Sequence, residues 1–128
     1  MKEGKVIQAK QLQDFCREVL MRVGISDSDA TIIADTLVEA ELRGVESHGV
    51  ENLAMHVRRL RDGNLNPRPN IKIIQETNCT AVLDGDNGVG NLVAVKAMEV
   101  AIKESLCKAY SLLASGSEVA PSGGRHNN

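Results

Sequence analysis

The sequence predicts a mixed α/β fold: a helical amino-terminal segment of three amphipathic helices, then two strands and a fourth helix. Apolar residues recur at helical spacing as far as Leu60, a proline-containing cluster at residues 64–70 halts that pattern, and two short β-prone runs follow before helical spacing resumes. Each element has its own local cause.

From about Gln8 to Val23, the side chains Leu12, Phe15, Cys16, Val19, Leu20 and Val23 fall on one side of a helix that Gly24 ends. Ser26-Asp-Ser-Asp then offers side-chain oxygens to the free amides of a second helix, whose Ala30, Ile33, Ala34, Leu37 and Val38 follow the i, i+3, i+4, i+7, i+8 template without a miss. Gly44 interrupts it. After Ser47-His48-Gly49 a third helix sets Val50, Leu53, Val57 and Leu60 on one face as far as Gly63. Three such stripes must bury against one another or against a neighbour, because apolar surface is driven out of water.

Asn64-Leu-Asn-Pro-Arg-Pro-Asn70 cannot continue a helix, since Pro67 and Pro69 lack amide donors and push the residues before them toward extended geometry. Ile71–Gln75 and Cys79–Leu83 read as two strands, and Glu76-Thr-Asn78 between them suits a hairpin. Asp84-Gly-Asp-Asn-Gly-Val-Gly90 is a turn-rich bend into a fourth helix, about Asn91 to Cys107, with Ala94, Val95, Met98, Ala101, Ile102 and Leu106 as its apolar stripe. From Ser115 onward the chain is rich in Ser, Gly, Pro and Asn with almost nothing to bury. The expected division is a helical segment at 1–66, the opening of an α/β unit at 67–114 and a disordered tail at 115–128.

Composition narrows the function. A net charge of −2 lacks the basic surplus that nucleic-acid binding draws on. Aromatic residues are limited to Phe15 and Tyr110, which leaves no material for base-stacking platforms or cation cages. No apolar run approaches the ~18 residues a membrane helix needs, and the first residues lack the apolar stretch of a secretory signal, so a cytoplasmic protein without membrane contact is expected. Cys16, Cys79 and Cys107 are odd in number, widely spaced and without a C-x-x-C pair. They are read as reduced structural thiols rather than a disulfide framework or a zinc ribbon.

The sharpest constellation is Arg43-Gly-Val-Glu-Ser47-His48-Gly49, where the second helix joins the third. Gly44 and Gly49 let the backbone turn tightly, which can present the Ser47 hydroxyl and the His48 imidazole into a cleft. On a helical wheel His48, Asn52, His56 and Arg59 share the polar side of the third helix, a cationic, hydrogen-bonding strip able to hold a small carboxylate. An imidazole, with an ordinary pKa of about 6.5, can move a proton near neutral pH. The plainer alternative makes Ser47 a helix cap and His48 an exposed junction residue, and spacing alone leaves both open. No metal site is expected, because the two histidines show neither an H-E-x-x-H pattern nor a carboxylate at ligand spacing between them. A hydrolytic triad would need a third, orienting acid near Ser47 and His48.

A strand feeding a glycine turn into a helix start, here Gly85-x-x-Gly88-x-Gly90, is a common way to cradle a pyrophosphate on free amides. The order differs from the dinucleotide fingerprint G-x-G-x-x-G, and Asp84 and Asp86 place negative charge where phosphate would sit. A plain tight turn is the alternative, and cofactor-binding residues stay unassigned.

Ala34-Asp-Thr-Leu-Val-Glu-Ala-Glu-Leu-Arg-Gly-Val-Glu-Ser-His-Gly-Val50 strongly resembles the signature of the type 2 malate/L-lactate dehydrogenase family, which includes sulfolactate, ureidoglycolate and ketimine-reducing enzymes. The resemblance continues through Arg59-Leu-Arg-Asp-Gly-Asn-Leu-Asn-Pro-Arg-Pro69, Val82-Leu-Asp-Gly-Asp-Asn-Gly-Val-Gly90 and Ala97-Met-Glu-Val-Ala-Ile102, covering roughly residues 8 to 104. It implies a partial L-sulfolactate dehydrogenase-like fold, unlike the usual Rossmann arrangement, in which residues 67–114 open the cofactor domain. The activity it implies is the interconversion of 2-hydroxy acids and 2-oxo acids with NAD or NADP, in a homodimer. By the same resemblance Ser47 and His48 are catalytic, with Arg43, Asn52 and His56 binding substrate. Hydride transfer needs a planar carbonyl held against the nicotinamide, its oxygen polarised and its carboxylate anchored.

The chain departs from the family at two positions beside this site: Asn52 stands where an arginine is usual, and His56 where a tyrosine is common. Asn52 can hydrogen-bond a carboxylate but cannot form a charged fork with it. From Lys108 onward nothing matches the family's continuation, which leads through a strand to a Ser-Asn-His element whose histidine is assigned the proton-transfer role. An amino-terminal piece with little or no turnover is therefore expected. The alternative is a non-catalytic helical module that docks on a partner or on a full-length subunit.

Overall fold

The computed structural model describes residues 4–115, with side chains through residue 107. In order these form α1 (Ala9–Arg22), α2 (Asp27–Leu42), a 3-10 turn (Glu46–His48), α3 (Glu51–Arg61), β1 (Lys72–Glu76), β2 (Ala81–Asp84) and α4 (Gly90–Ser115). Of the tail expected at residues 115–128, Ser115 instead closes α4, and the rest lies outside the described residues.

The core is built around α2. Ser26 caps it by accepting the Asp29 amide at 3.3 Å, and Asp27 and Asp29 face the positive end of the helix dipole. Ala30, Ile33, Ala34, Leu37 and Val38 are buried, as the template requires. Cys16 and Leu20 of α1, Leu53 and Leu60 of α3, and Leu92 of α4 complete the same cluster. Arg17 Nε and Asp27 Oδ1, 2.5 Å apart, tie α1 to the start of α2.

The strands pair antiparallel, with Lys72 opposite Asp84 and Glu76 opposite Ala81, and an irregularity between Ile73 and Gln75. At the connection the Thr77 hydroxyl accepts from the amides of Cys79 and Thr80, at 3.3 and 3.0 Å. The hairpin is followed by a clamp on the 64–70 loop. Asp86 Oδ2 accepts from Asn66 Nδ2 at 2.9 Å and from the Asn70 amide at 2.8 Å, while Asn87 Nδ2 donates to the Asn64 carbonyl at 2.8 Å. Asp86 and Asn87 hold left-handed backbone, φ 47° and 54°, a region Asp and Asn enter more readily than other side chains.

Two stripes differ from their wheels. Phe15 faces solvent instead of joining Cys16 and Leu20, and in α4 the residues Met98, Ile102 and Leu106 lie on the exposed side. α4 meets α2 at its first turn, where Leu92 is buried and Asn91 Nδ2 donates to Thr36 Oγ1 at 2.9 Å. Farther along, the hairpin covers only the side that carries Ala97 and Val100.

Cys16 is buried, whereas Cys79 and Cys107 are exposed, so only the first has the structural place expected of all three. Burial pushes the Cys16 thiol up, and the Glu41 carboxylate adds to that. Among the described residues no helix is long and apolar enough to cross a membrane.

Candidate functional site

α2 ends through backbone bonds that only a left-handed residue permits. Gly44, at φ 72°, donates to the Glu41 carbonyl at 3.0 Å, and the next amide, of Val45, reaches the Ala40 carbonyl at 2.9 Å. The chain then reverses into the 3-10 turn, in which the His48 and Gly49 amides donate to the carbonyls of Val45 and Glu46, both at 3.0 Å. Each side chain of the turn is thus set by the end of α2 before α3 begins.

Ser47 Oγ and His48 Nδ1 lie 3.0 Å apart, which engages one nitrogen of an exposed ring and leaves Nε2 as the other. Asn52 Nδ2 donates to the Ser47 carbonyl at 2.9 Å, and Glu41 Oε1 accepts the Val50 amide at 2.8 Å. The turn is therefore held from both adjoining helices. Ser47 and His48 are themselves exposed, so the described residues form an open surface around the pair rather than the expected cleft.

The other candidates separate. Arg43 bonds Glu39 Oε1 of the preceding helix through Nε at 2.7 Å, and its side chain is 72% exposed. Asn52 is a brace of the turn through the bond just described. The polar strip drawn on the wheel divides: His48 precedes α3, Asn52 and Arg59 lie on its outer side, and His56 is buried at 7% exposure. Leu53, His56 and Leu60 stand at i, i+3 and i+7, so the packing that buries the two leucines carries the ring inward with them. Neither ring nitrogen meets a partner at hydrogen-bonding geometry. Burial pushes the His56 pKa below its ordinary 6.5, the Arg59 charge adds to this, and the nearby Asn91 amide opposes it.

The Gly85–Gly90 segment is a plain turn. The Gly88 amide is bonded to the Gly85 carbonyl at 2.9 Å and the Asp86 amide to Asp84 Oδ1 at 2.9 Å, so these donors do not face outward. A Cβ on Gly88 would come within 2.8 Å of Pro69 Cγ, which makes close packing the reason for that glycine. Among the described residues no group of three His, Cys, Asp or Glu side chains is placed to hold a metal ion.

Glu41 is the residue that sequence reasoning missed. A carboxylate nine residues ahead of the amide it caps has no periodic or motif signature, and helix capping is ordinarily sought at the residue just before the helix. The signal available was Gly49, a glycine whose backbone angles do not call for one.

The malate/L-lactate dehydrogenase family profile matches residues 7–114. L-sulfolactate dehydrogenase from Methanocaldococcus jannaschii is 47% identical over 88 residues, which is 69% of this chain and 26% of that protein. The solved structure of sulfolactate dehydrogenase from the same organism aligns with a TM-score of 0.76 at 40% identity, over 80% of this chain and 30% of that one. Malate dehydrogenase from Pyrococcus horikoshii aligns with a TM-score of 0.75 at 39% identity, over 82% and 32%. The chain spans less than a third of the length of these relatives. Three helices, an antiparallel hairpin and a helix match the amino-terminal part of those structures, and with most of its residues inside the profile the chain belongs to the malate/L-lactate dehydrogenase family.

Proposed function

We propose that this chain supplies the acid-facing wall of an oxidoreductase site that interconverts 2-hydroxy acids and 2-oxo acids with NAD or NADP. The observation that carries this is the Ser47 Oγ–His48 Nδ1 contact at 3.0 Å on a turn strapped from both helices, in a family member. Ser47 fixes the ring, and Nε2 is left to hydrogen-bond the oxygen at C2 of the acid, which polarises a carbonyl there. Arg43 is the nearest cation in sequence for the carboxylate. The nicotinamide group supplies the hydride when bound, but the Gly85–Gly90 turn does not fit its phosphates, since the Asp86 and Gly88 amides are bonded within the turn and Asp84 and Asp86 bring negative charge. No residue of this chain is assigned to the cofactor.

Oxidation of NADH or NADPH in the presence of pyruvate, oxaloacetate or larger 2-oxo acids measures turnover, and the His48 ring resonances measure acid binding without cofactor. The ring signals are expected to move on adding the acid, and His48→Ala to weaken binding about tenfold, the scale of one lost hydrogen bond to a charged group. Binding and turnover that are indifferent to His48→Ala remove His48 from the site.

A second reading has separate support. Phe15, Ile74 and Met98 are 58%, 65% and 61% exposed, and each strand of the two-stranded sheet keeps an open edge. Such surface associates. On this reading the chain is a non-catalytic module docking on a partner or a full-length subunit, and light scattering should show concentration-dependent association. A monomer at every concentration, with no binding to a full-length family subunit, counts against it.

A further inference from the structure

We infer that Glu41 is a positioning residue of the Ser47–His48 site, and that Gly49 is a glycine because the Glu41 side chain occupies the space its Cβ would need. The inference rests on the functional reading of Ser47 and His48 given above.

The φ of Gly49 is −89°, an angle open to any residue, so conformational freedom does not explain the glycine. Space does. Gly49 is buried, and a Cβ built on it would lie 2.6 Å from Glu41 Cδ and 3.0 Å from Glu41 Cγ, with Oε1 closer still. The carboxylate runs directly beneath the turn. Beyond Gly49 it accepts the Val50 amide at 2.8 Å, one of the donors that the start of α3 leaves without a helical partner. A negative group at that end also meets the positive pole of the helix.

Glu41 belongs to the last turn of α2, whose preceding turn carries Leu37 and Val38 into the core. Its side chain therefore transmits the fixed position of α2 to the N-cap amide of α3. Between those two points lie Ser47 and His48. Asn52, in the first turn of α3, holds the Ser47 carbonyl at 2.9 Å, so a shift of α3 relative to α2 moves Ser47, and through the Oγ–Nδ1 contact it turns the His48 ring. The carboxylate touches neither side chain; it acts through the turn.

The test is a cycle of variants: Glu41→Gln, Glu41→Ala, Gly49→Ala and the double Glu41→Ala/Gly49→Ala. Three readouts apply to each: the Val50 amide proton shift, the nitrogen shifts of the His48 ring that report its tautomer, and pyruvate affinity. Glu41→Gln keeps an acceptor of the same shape and is expected to leave all three near the parent. Glu41→Ala should move the Val50 amide, mix the ring tautomers and weaken pyruvate binding by up to about tenfold, the loss of one well-placed hydrogen bond to a charged group. Gly49→Ala should do the same by expelling the carboxylate. The double variant should be no worse than Glu41→Ala alone, because the new methyl enters vacated space.

Val50 and His48 signals unchanged in Glu41→Ala, or additive losses in the double variant, overturn the inference. A parent chain that binds no 2-oxo acid defeats the functional reading, whereas the amide and tautomer signals still decide the role of Glu41. Should Gly49→Ala fail to fold, its rescue in the Glu41→Ala background decides the same point, since only relief of that clash restores it.

Discussion

Leu37→Ala is expected to destabilise the protein by about 2–5 kcal/mol, whereas Ile102→Ala, an equally drastic truncation on paper, should stay within about 0.5 kcal/mol. Leu37 is 0% exposed and stands in the cluster where α2 meets the other helices, so truncation removes buried methyl groups and leaves a void that several elements cannot close together. Ile102 is 52% exposed on α4. Small domains are stable by only about 5–15 kcal/mol, so the first change takes a large part of the total. Urea unfolding checks it: the midpoint of Leu37→Ala should fall steeply at an unchanged slope, while that of Ile102→Ala barely moves. Comparable shifts for both would mean that α4 buries the stripe read from its sequence and that the arrangement of helices is wrong.

That contrast also shows where the sequence was legible. α2 is covered on one side by α1, the 3-10 turn and the start of α4, so its five buried positions have one phase to choose and the template finds it. α4 carries alanine, valine or another apolar residue on most of its sides, and a nearly all-round apolar helix does not state its phase. Its neighbours choose it. Here α2 takes Leu92 and the hairpin takes the side of Ala97 and Val100, which leaves Met98 and Ile102 outside. The hairpin was legible because prolines stop the helices ahead of it and a polar three-residue break divides its β-prone runs, and the structure shifts its strands by a residue or two. Phe15 shows the same limit as α4: a helix face is wider than the groove that receives it.

Within the site, adjacency in sequence was reliable and distance in sequence was not. Ser47 and His48 are neighbours flanked by helix breakers, and their contact follows from that. The two glycines of the motif looked alike but answer to different causes. Gly44 needs a positive φ to close α2, while Gly49 needs room for a carboxylate from the preceding helix. Nothing in a wheel or a motif shows a side chain reaching across nine residues, which is why Glu41 emerged only with coordinates. The expected exposure of His56 gave way for a different reason. Polarity placed it on the wet side of α3, although its spacing from Leu53 and Leu60 already placed it on the dry side, and packing obeyed the spacing.

His56→Leu is accordingly expected to raise stability by about 1–2 kcal/mol at pH 7 and by more at pH 5, because a buried polar group without partners is replaced by an apolar one of similar volume. The parent ring is buried with neither nitrogen bonded, beside Arg59, and its folded pKa lies below the ordinary 6.5. As the pH falls through 6.5 the unfolded chain takes up a proton that the folded chain resists. Stability is therefore full above that value, declines by at most about 1.4 kcal/mol per pH unit, and levels off below the depressed folded pKa. Leucine binds no proton, so the share of the slope between pH 7 and 5 due to this ring should vanish in the variant. Denaturant midpoints collected across that range for both proteins make the comparison. A variant less stable at pH 7 would show that the ring nitrogens do have partners, and a slope unchanged by the substitution would assign it to other groups. If the stabilised variant also loses affinity for 2-oxo acids, the unsatisfied ring belongs to the site as well as to the core, and α3 carries a polar group inside at the expense of its own packing.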